Sequence, residues 1–282
     1  MRLSYVLPDP ASYGDWSGFD QDLACMRRAG YDAVELQIPD PALFDERRVR
    51  RSLEAVGYPL CAFQTGSTYA TRGNCLSTAD ADVRRRTIEL LKSFVDLAAR
   101  WGSTIVFGSL QGRLQDEPDR AAAESRIREA VAEVGRCATR AGVTLAFEPV
   151  QHGEVGFHNT IAEVAELVRG LGLAGVRMMI DTFHMNIEER DMFAPLPAIR
   201  DILAHVHLSE TNRDVLGTAH WPTAGFLAEL QRIGYAGYCS VGVYNTRQSR
   251  AQCIEQCMAE LRRRGAVFSD PAPRGDASDS KP

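Results

Sequence analysis

One unit of the chain, residues 121–147, reads AAAESRIREAVAEVGRCATRAGVTLAF. Over residues 121–141 the apolar side chains recur at three- and four-residue spacing, which predicts an amphipathic helix. Gly142 follows, and glycine readily adopts the left-handed conformation that ends many helices. Residues 144–147 then form a short apolar run of the kind found in buried parallel strands. The segment therefore predicts a helix that leads directly into a strand.

The same alternation of helical patterns and short apolar runs continues along the chain, for example with a second helical pattern over residues 82–100. The strand candidates are Leu3 to Val6, Ala33 to Leu36, Leu60 to Phe63, Thr104 to Phe107, Thr144 to Phe147, Arg177 to Ile180, Ala204 to Leu208 and Cys239 to Val243. Eight such units favour a closed (β/α)8 TIM barrel of the α/β class, and no G-x-G-x-x-G motif follows an early strand to indicate a dinucleotide site. We expect a single barrel domain over residues 1–268. Residues 269–282 are polar and rich in Pro, Ser and Asp, which predicts a disordered tail.

The composition narrows the class of partner. The chain has 282 residues, a net charge of −5 and no dense stripe of Lys and Arg, so a nucleic-acid partner is not expected. No stretch approaches the roughly 20 apolar residues of a membrane span, which favours a cytoplasmic protein without membrane contact. The seven cysteines are scattered and odd in number, which favours reduced thiols over a disulfide framework. A small molecule is the expected partner.

Polar residues close or interrupt several of the predicted strands. Glu148 ends the fifth, Asp181 ends the sixth, His205 and His207 alternate along the seventh, and Glu35 lies in the second. In a (β/α)8 barrel the functional side chains project from the C-terminal strand ends. A lone acid there is commonly a helix cap, but several in succession indicate a site, because unpaired buried charges are costly. Carboxylates and an imidazole together suit Mn²⁺, Co²⁺, Mg²⁺ or Zn²⁺, and we expect Mn²⁺ first.

Three segments resemble the xylose-isomerase-like sugar phosphate isomerase/epimerase superfamily, and within it the D-tagatose and D-psicose 3-epimerases. They are FEP at residues 147–149, IDTFHMNIEE at 180–189 and HVHLSETNR at 205–213. The resemblance covers essentially the whole predicted barrel. The two longer strings at matching spacing are a far more specific signal than a single short motif.

The resemblance implies a role for each matching residue. It implies that the metal ligands are Glu148, Asp181 and His207, and that Glu148 also serves as an acid/base. It implies that the oxygens of a sugar are held by Glu154, His184 and Arg213. The expected activity is a metal-dependent isomerisation or epimerisation of a sugar or cyclitol ketone through an enediolate, in a homo-oligomer. His184 is a candidate second proton carrier.

The sequence departs from this pattern at one position. The resemblance implies a metal-binding, proton-transferring Glu at the end of strand eight, where this chain has Gly242. Three interpretations remain open: a one-carboxylate isomerisation, β-elimination or hydration; an epimerisation in which Glu210, Glu35 or a substrate carboxylate supplies the missing ligand; and a non-catalytic sugar-binding or partner subunit. The loss of volume at Gly242 leaves room for a larger substrate such as a glycoside, and the chain also loosely resembles the C-glycoside-cleaving subunits of the superfamily, which implies cleavage of an oxidised sugar as an alternative. The endonuclease branch of the superfamily is disfavoured, because the chain has only six His and an acidic balance.

Overall fold

A computed structural model describes residues 1–265, and in it eight parallel strands form one closed barrel in sequential order. The strands are β1 Arg2–Leu7, β2 Ala33–Gln37, β3 Leu60–Gln64, β4 Thr104–Phe107, β5 Leu145–Phe147, β6 Val176–Asp181, β7 Leu203–Leu208 and β8 Tyr238–Val241. The predicted TIM barrel is confirmed, and every predicted strand lies within two residues of an observed one. The predicted tail lies outside the described residues, as does the last part of the predicted barrel domain.

Helices connect the strands around the outside of the barrel. They are α1 Trp16–Ala29, α2 Glu46–Val56, α3 Ser67–Arg72, α4 Ala81–Trp101, α5 Arg120–Ala141, α6 Ile161–Leu171, α7 Thr182–Glu188, α8 Leu196–Ile199, α9 Thr223–Arg232 and α10 Arg250–Arg263. The two helices predicted over residues 82–100 and 121–141 are α4 and α5. Of the described helices, none has both the length and the apolar character needed to cross a membrane. All seven cysteines are free thiols.

Side chains alternate between the two faces of each strand. This alternation separates residues of the apolar core, outside the barrel, from polar residues inside it. Val206 lies in the large apolar cluster between barrel and helices, whereas its neighbours His205 and His207 contact Glu35 inside the barrel. On β6, Ile180 packs outward in the same cluster. The interior therefore holds polar groups. It also holds a second, small apolar cluster: Ala33, Cys61, Ala62, Val106, Ala146 and Met179.

One glycine shows how closely the helices approach the barrel. A Cβ atom at Gly135 of α5 would overlap Val176 Cγ2 of β6. We predict that Gly135→Ala destabilises the fold by about 1–3 kcal/mol, because an added methyl in a packed contact forces the backbone apart. Urea unfolding followed by circular dichroism measures the change.

Gly170 of α6 is the matched control, because its added Cβ would meet only the flexible end of Arg128 at 3.1 Å. Gly170→Ala should be neutral or stabilise the fold by up to about 1 kcal/mol through helix propensity. Equal effects of the two substitutions would show that the contact between α5 and β6 does not limit packing.

Candidate active site

A cavity of about 300 Å³ opens at the C-terminal ends of the strands, which is the size of a small-molecule site. Its polar lining comes from six strand ends and the loops that follow them. The lining includes Gln37, Gln64, Glu148, Glu154, Asp181, His184, Arg213 and Tyr244. Five of the predicted site residues thus share one cavity, and the sixth, His207, is buried with its Nδ1 3.7 Å from Oδ2 of the lining residue Asp181.

Glu35 fixes the orientation of both histidines of β7. Its two carboxylate oxygens pair with His205 Nε2 at 2.7 Å and with His207 Nε2 at 2.9 Å, and all three side chains are buried. Although burial opposes ionisation, His207 and His205 hold the pKa of Glu35 below its ordinary value. Because Nε2 of His207 is engaged by Glu35, only its Nδ1 can serve another partner.

The Nδ1 atom of His207 indicates where a ligand would bind. His207 Nδ1 is buried without a hydrogen-bond partner among the described residues, and it lies 3.7 Å from Asp181 Oδ2. Although burial disfavours a charged ring, Glu35 and Asp181 raise the pKa of His207 well above its ordinary value. Surroundings that stabilise a proton at this position also stabilise a metal cation.

Asp181 has two roles at the end of β6. Its Oδ1 accepts from Phe183 N at 2.8 Å and caps α7, while its Oδ2 lies 3.3 Å from Arg213 Nη1 and 3.4 Å from Ser209 Oγ. Although burial opposes ionisation, the Arg213 guanidinium holds the pKa of Asp181 below its ordinary value. Asp181 therefore caps α7 with one oxygen and also lines the cavity.

Glu148 extends from the end of β5 into the cavity. Its backbone N donates to Phe107 O at 2.9 Å, and its Oε1 lies 3.8 Å from His184 Nε2. A Cβ at Gly108 would lie 2.8 Å from the Glu148 Cβ and 3.0 Å from its Oε2, so that glycine leaves the carboxylate its space. Burial raises the pKa of Glu148 to about 8, and a neighbouring cation would lower it again.

His184, the third residue of α7, lies between two hydrogen-bond donors. Gln151 N donates to its Nδ1 at 3.3 Å, and Arg213 Nη2, which can only donate, lies 3.1 Å from its Nε2. Burial lowers the pKa of His184 to about 4, so the ring is uncharged near neutral pH. A neutral imidazole accepts from only one of these two donors.

Arg213 links the two sides of the cavity. Its guanidinium stacks on Phe183 at 3.9 Å and on Tyr244 at 4.9 Å, and it lies 3.8 Å from Glu154 at the half-exposed rim. Its backbone has φ +62, a left-handed conformation that costs about 1–3 kcal/mol in a residue with a side chain. This strain is consistent with a position set by function.

Two groups of ionisable side chains have a spacing suited to a cation: Glu35, His205 and His207, and Glu148, Asp181 and His184. In the first group Glu35 already pairs with Nε2 of both histidines, so this group supports the site rather than forms one. The second faces the cavity, and His207 Nδ1 lies 3.7 Å from its member Asp181. The donors that fit a divalent cation are therefore Glu148, Asp181 and His207, since His184 Nε2 lies 3.1 Å from the Arg213 guanidinium, which is itself a cation.

Glu210 and Glu35, the two acids considered as a replacement metal ligand, both have other hydrogen-bond partners in the structure. Glu210 is buried and accepts from the backbone N–H groups of Thr211, Gly217 and Trp221 at 2.9 Å each, so it anchors the loop after β7. Glu35 bridges the two histidines. Sequence reasoning missed Gln64 and Tyr244, which line the cavity from loops or strand ends without a motif around them.

The chain is similar to known proteins in both sequence and fold. Residues 23–264 match the family described as the xylose isomerase-like TIM barrel. The chain belongs to that family. It is 32% identical to a ketose 3-epimerase from Arthrobacter globiformis over 79% of this chain and 76% of that protein. An L-ribulose 3-epimerase from Mesorhizobium japonicum is also 32% identical, over 78% of this chain and 73% of its own length. A solved structure of an L-ribulose 3-epimerase superposes with a TM-score of 0.81 at 26% identity, covering 93% of this chain and 94% of that one.

The Glu35 bridge generates a prediction for this family member. We expect Glu35→Gln to weaken Mn²⁺ binding about 10- to 100-fold, because an amide cannot accept from both imidazoles and His207 loses its fixed orientation. Isothermal titration of the metal-stripped protein measures the affinity. Asp22→Asn is the control, since Asp22 is a buried carboxylate that pairs with Tyr13 and Arg250 instead. Unchanged affinity in Glu35→Gln would contradict a positioning role.

Proposed function

We propose that this protein is a divalent-metal-dependent epimerase of ketoses that works through an enediolate. The observation that carries the proposal is the convergence of Glu148, Asp181 and the unpartnered His207 Nδ1 on one small polar cavity. The names of the relatives, which are ketose and L-ribulose 3-epimerases, support the same reaction class.

Glu148, Asp181 and His207 would hold the cation, with Mn²⁺ as the first candidate and Co²⁺, Mg²⁺ or Zn²⁺ as alternatives. When bound, the cation supplies Lewis-acid polarisation of the substrate carbonyl and its neighbouring hydroxyl. The remaining chemistry belongs to the side chains around it.

Glu148 is the base in this scheme. Its carboxylate takes the proton from the carbon next to the carbonyl, and the electron pair of that C–H bond moves into the enediolate. The Arg213 guanidinium donates hydrogen bonds where negative charge develops on oxygen, and His184 beside it contacts the substrate oxygens. Glu154, at the rim beside Arg213, accepts from a substrate hydroxyl.

A non-catalytic role is less consistent with this site. A barrel that only binds a sugar has no need for two buried carboxylates and a buried imidazole that converge at one cavity.

We expect Glu148→Gln to lower turnover by about 10²- to 10⁴-fold, because the amide cannot accept the proton. Incubation with a panel of ketoses in deuterated water, followed by proton NMR, measures loss of the proton next to the carbonyl and formation of the epimer. Glu129→Gln, on the exposed face of α5, should leave both signals unchanged. Full exchange in a folded Glu148→Gln variant would exclude this residue as the base.

Removal of divalent ions provides a second test. Treatment with a chelator should abolish epimer formation while leaving the circular dichroism spectrum unchanged, since the barrel core does not depend on the site. Addition of Mn²⁺ should restore the rate. Full activity in the stripped protein would argue for a metal-independent reaction.

A further inference from the structure

The end of β8 lacks a side chain where the strand enters the cavity. Gly242 follows the last residue of β8, and its N donates to Leu208 O at 3.1 Å, which keeps it beside the end of β7. A Cβ built at this position would lie 2.7 Å from Tyr244 Cε2 and 3.1 Å from the Tyr244 hydroxyl oxygen. The ring of Tyr244 therefore occupies the space that a side chain at position 242 would take.

Backbone hydrogen bonds hold Tyr244 there. Its N and the N of Asn245 both donate to Arg213 O at 2.9 Å, so the loop after β8 is tied to the strained residue that faces the substrate. The Arg213 guanidinium also stacks on the Tyr244 ring. The tyrosine is thus placed by the same residue that is expected to hold a substrate oxygen.

The hydroxyl of Tyr244 has hydrogen-bonding capacity to spare. It accepts from Gln64 Nε2 at 3.4 Å, and its own proton has no acceptor among the described residues. Gln64 Oε1 is likewise buried without a partner in the described part of the chain. A buried amide oxygen without a partner, beside a hydroxyl that can still donate, indicates a polar ligand at this wall of the cavity, such as a sugar hydroxyl.

This wall lies away from Glu148. Tyr244 follows β8, whereas Glu148 follows β5, and the ends of β6 and β7 separate the two strands around the barrel. Both side chains nevertheless line the same cavity. A planar enediolate held between them would present one face to each, and a phenol holds its proton near neutral pH.

We propose that Tyr244 is the second proton-transferring residue of this site and delivers a proton to the face of the enediolate opposite Glu148. The inference rests on the proposed function. Glu148 takes the proton from carbon, the electron pair returns from the enediolate to form a new C–H bond with the phenol proton, and the tyrosinate remains. Solvent exchange through the open cavity removes the proton from Glu148 and restores that of Tyr244.

Isotope exchange separates the two steps. In deuterated water, Tyr244→Phe should lower epimer formation by about 10²- to 10⁴-fold while Glu148 continues to exchange the proton next to the carbonyl in the starting ketose. Glu148→Gln should lose both signals. Tyr238→Phe is the matched control, because Tyr238 lies at the opposite end of β8 and its hydroxyl accepts from Arg2. It should keep both.

A double variant tests whether substitutions of Tyr244 act only by disturbing the loop after β8. Gly242→Glu combined with Tyr244→Ala places a carboxylate where the ring was, and it should regain at least tenfold in epimer formation over Tyr244→Ala alone. Absence of that gain, or epimer formation at the wild-type rate in Tyr244→Phe, overturns the assignment while leaving a ketose epimerase in place. Absence of exchange and of epimer in the wild-type protein with Mn²⁺ instead overturns the proposed function.

Discussion

The site depends on one buried carboxylate that bridges two imidazoles across the inside of the barrel. Glu35 on β2 and the histidines on β7 belong to strands that are not neighbours, so this pairing spans the barrel interior. A charge in that position is tolerated only because both of its oxygens are satisfied. It also determines which nitrogen of His207 faces the cavity, and therefore which set of donors can meet there.

The cavity above this bridge combines groups whose ionisation is set by their surroundings. Arg213 stabilises the charged form of Asp181, whereas burial favours the neutral forms of Glu148 and His184. Charged and neutral groups thus lie within a few ångströms of one another. A bound cation would lower the pKa of Glu148 again, so that one site can contain an ionised ligand, a proton acceptor and a neutral imidazole.

The sequence was sufficient to predict the barrel and the strand ends, because both rest on local signals. Periodicity and helix-ending glycines located the eight strands. The rule that barrel sites lie at C-terminal strand ends drew attention to Glu35, Glu148, Asp181, His205 and His207, and the family resemblance selected Glu148, Asp181 and His207 among them. The roles of Glu35 and Glu210 could not be read in the same way. Both are acids near strand ends, and only the three-dimensional contacts show that one bridges β7 and the other binds three backbone N–H groups of its own loop. Tyr244 was missed because its importance depends on the space left at Gly242, which is a property of packing.

Replacement of a carboxylate by a phenol would change more than the identity of one proton donor. The ordinary pKa values of the two groups differ by about six units, so near neutral pH a carboxylate and a phenol are found overwhelmingly as one base and one acid. A pair of carboxylates can start a reaction from either face, whereas a carboxylate–phenol pair at rest accepts a proton only on the carboxylate side. Such a site is matched to the epimer whose hydrogen faces Glu148. It converts the opposite epimer only from the rarer state in which the tyrosine has lost its proton and Glu148 has gained one.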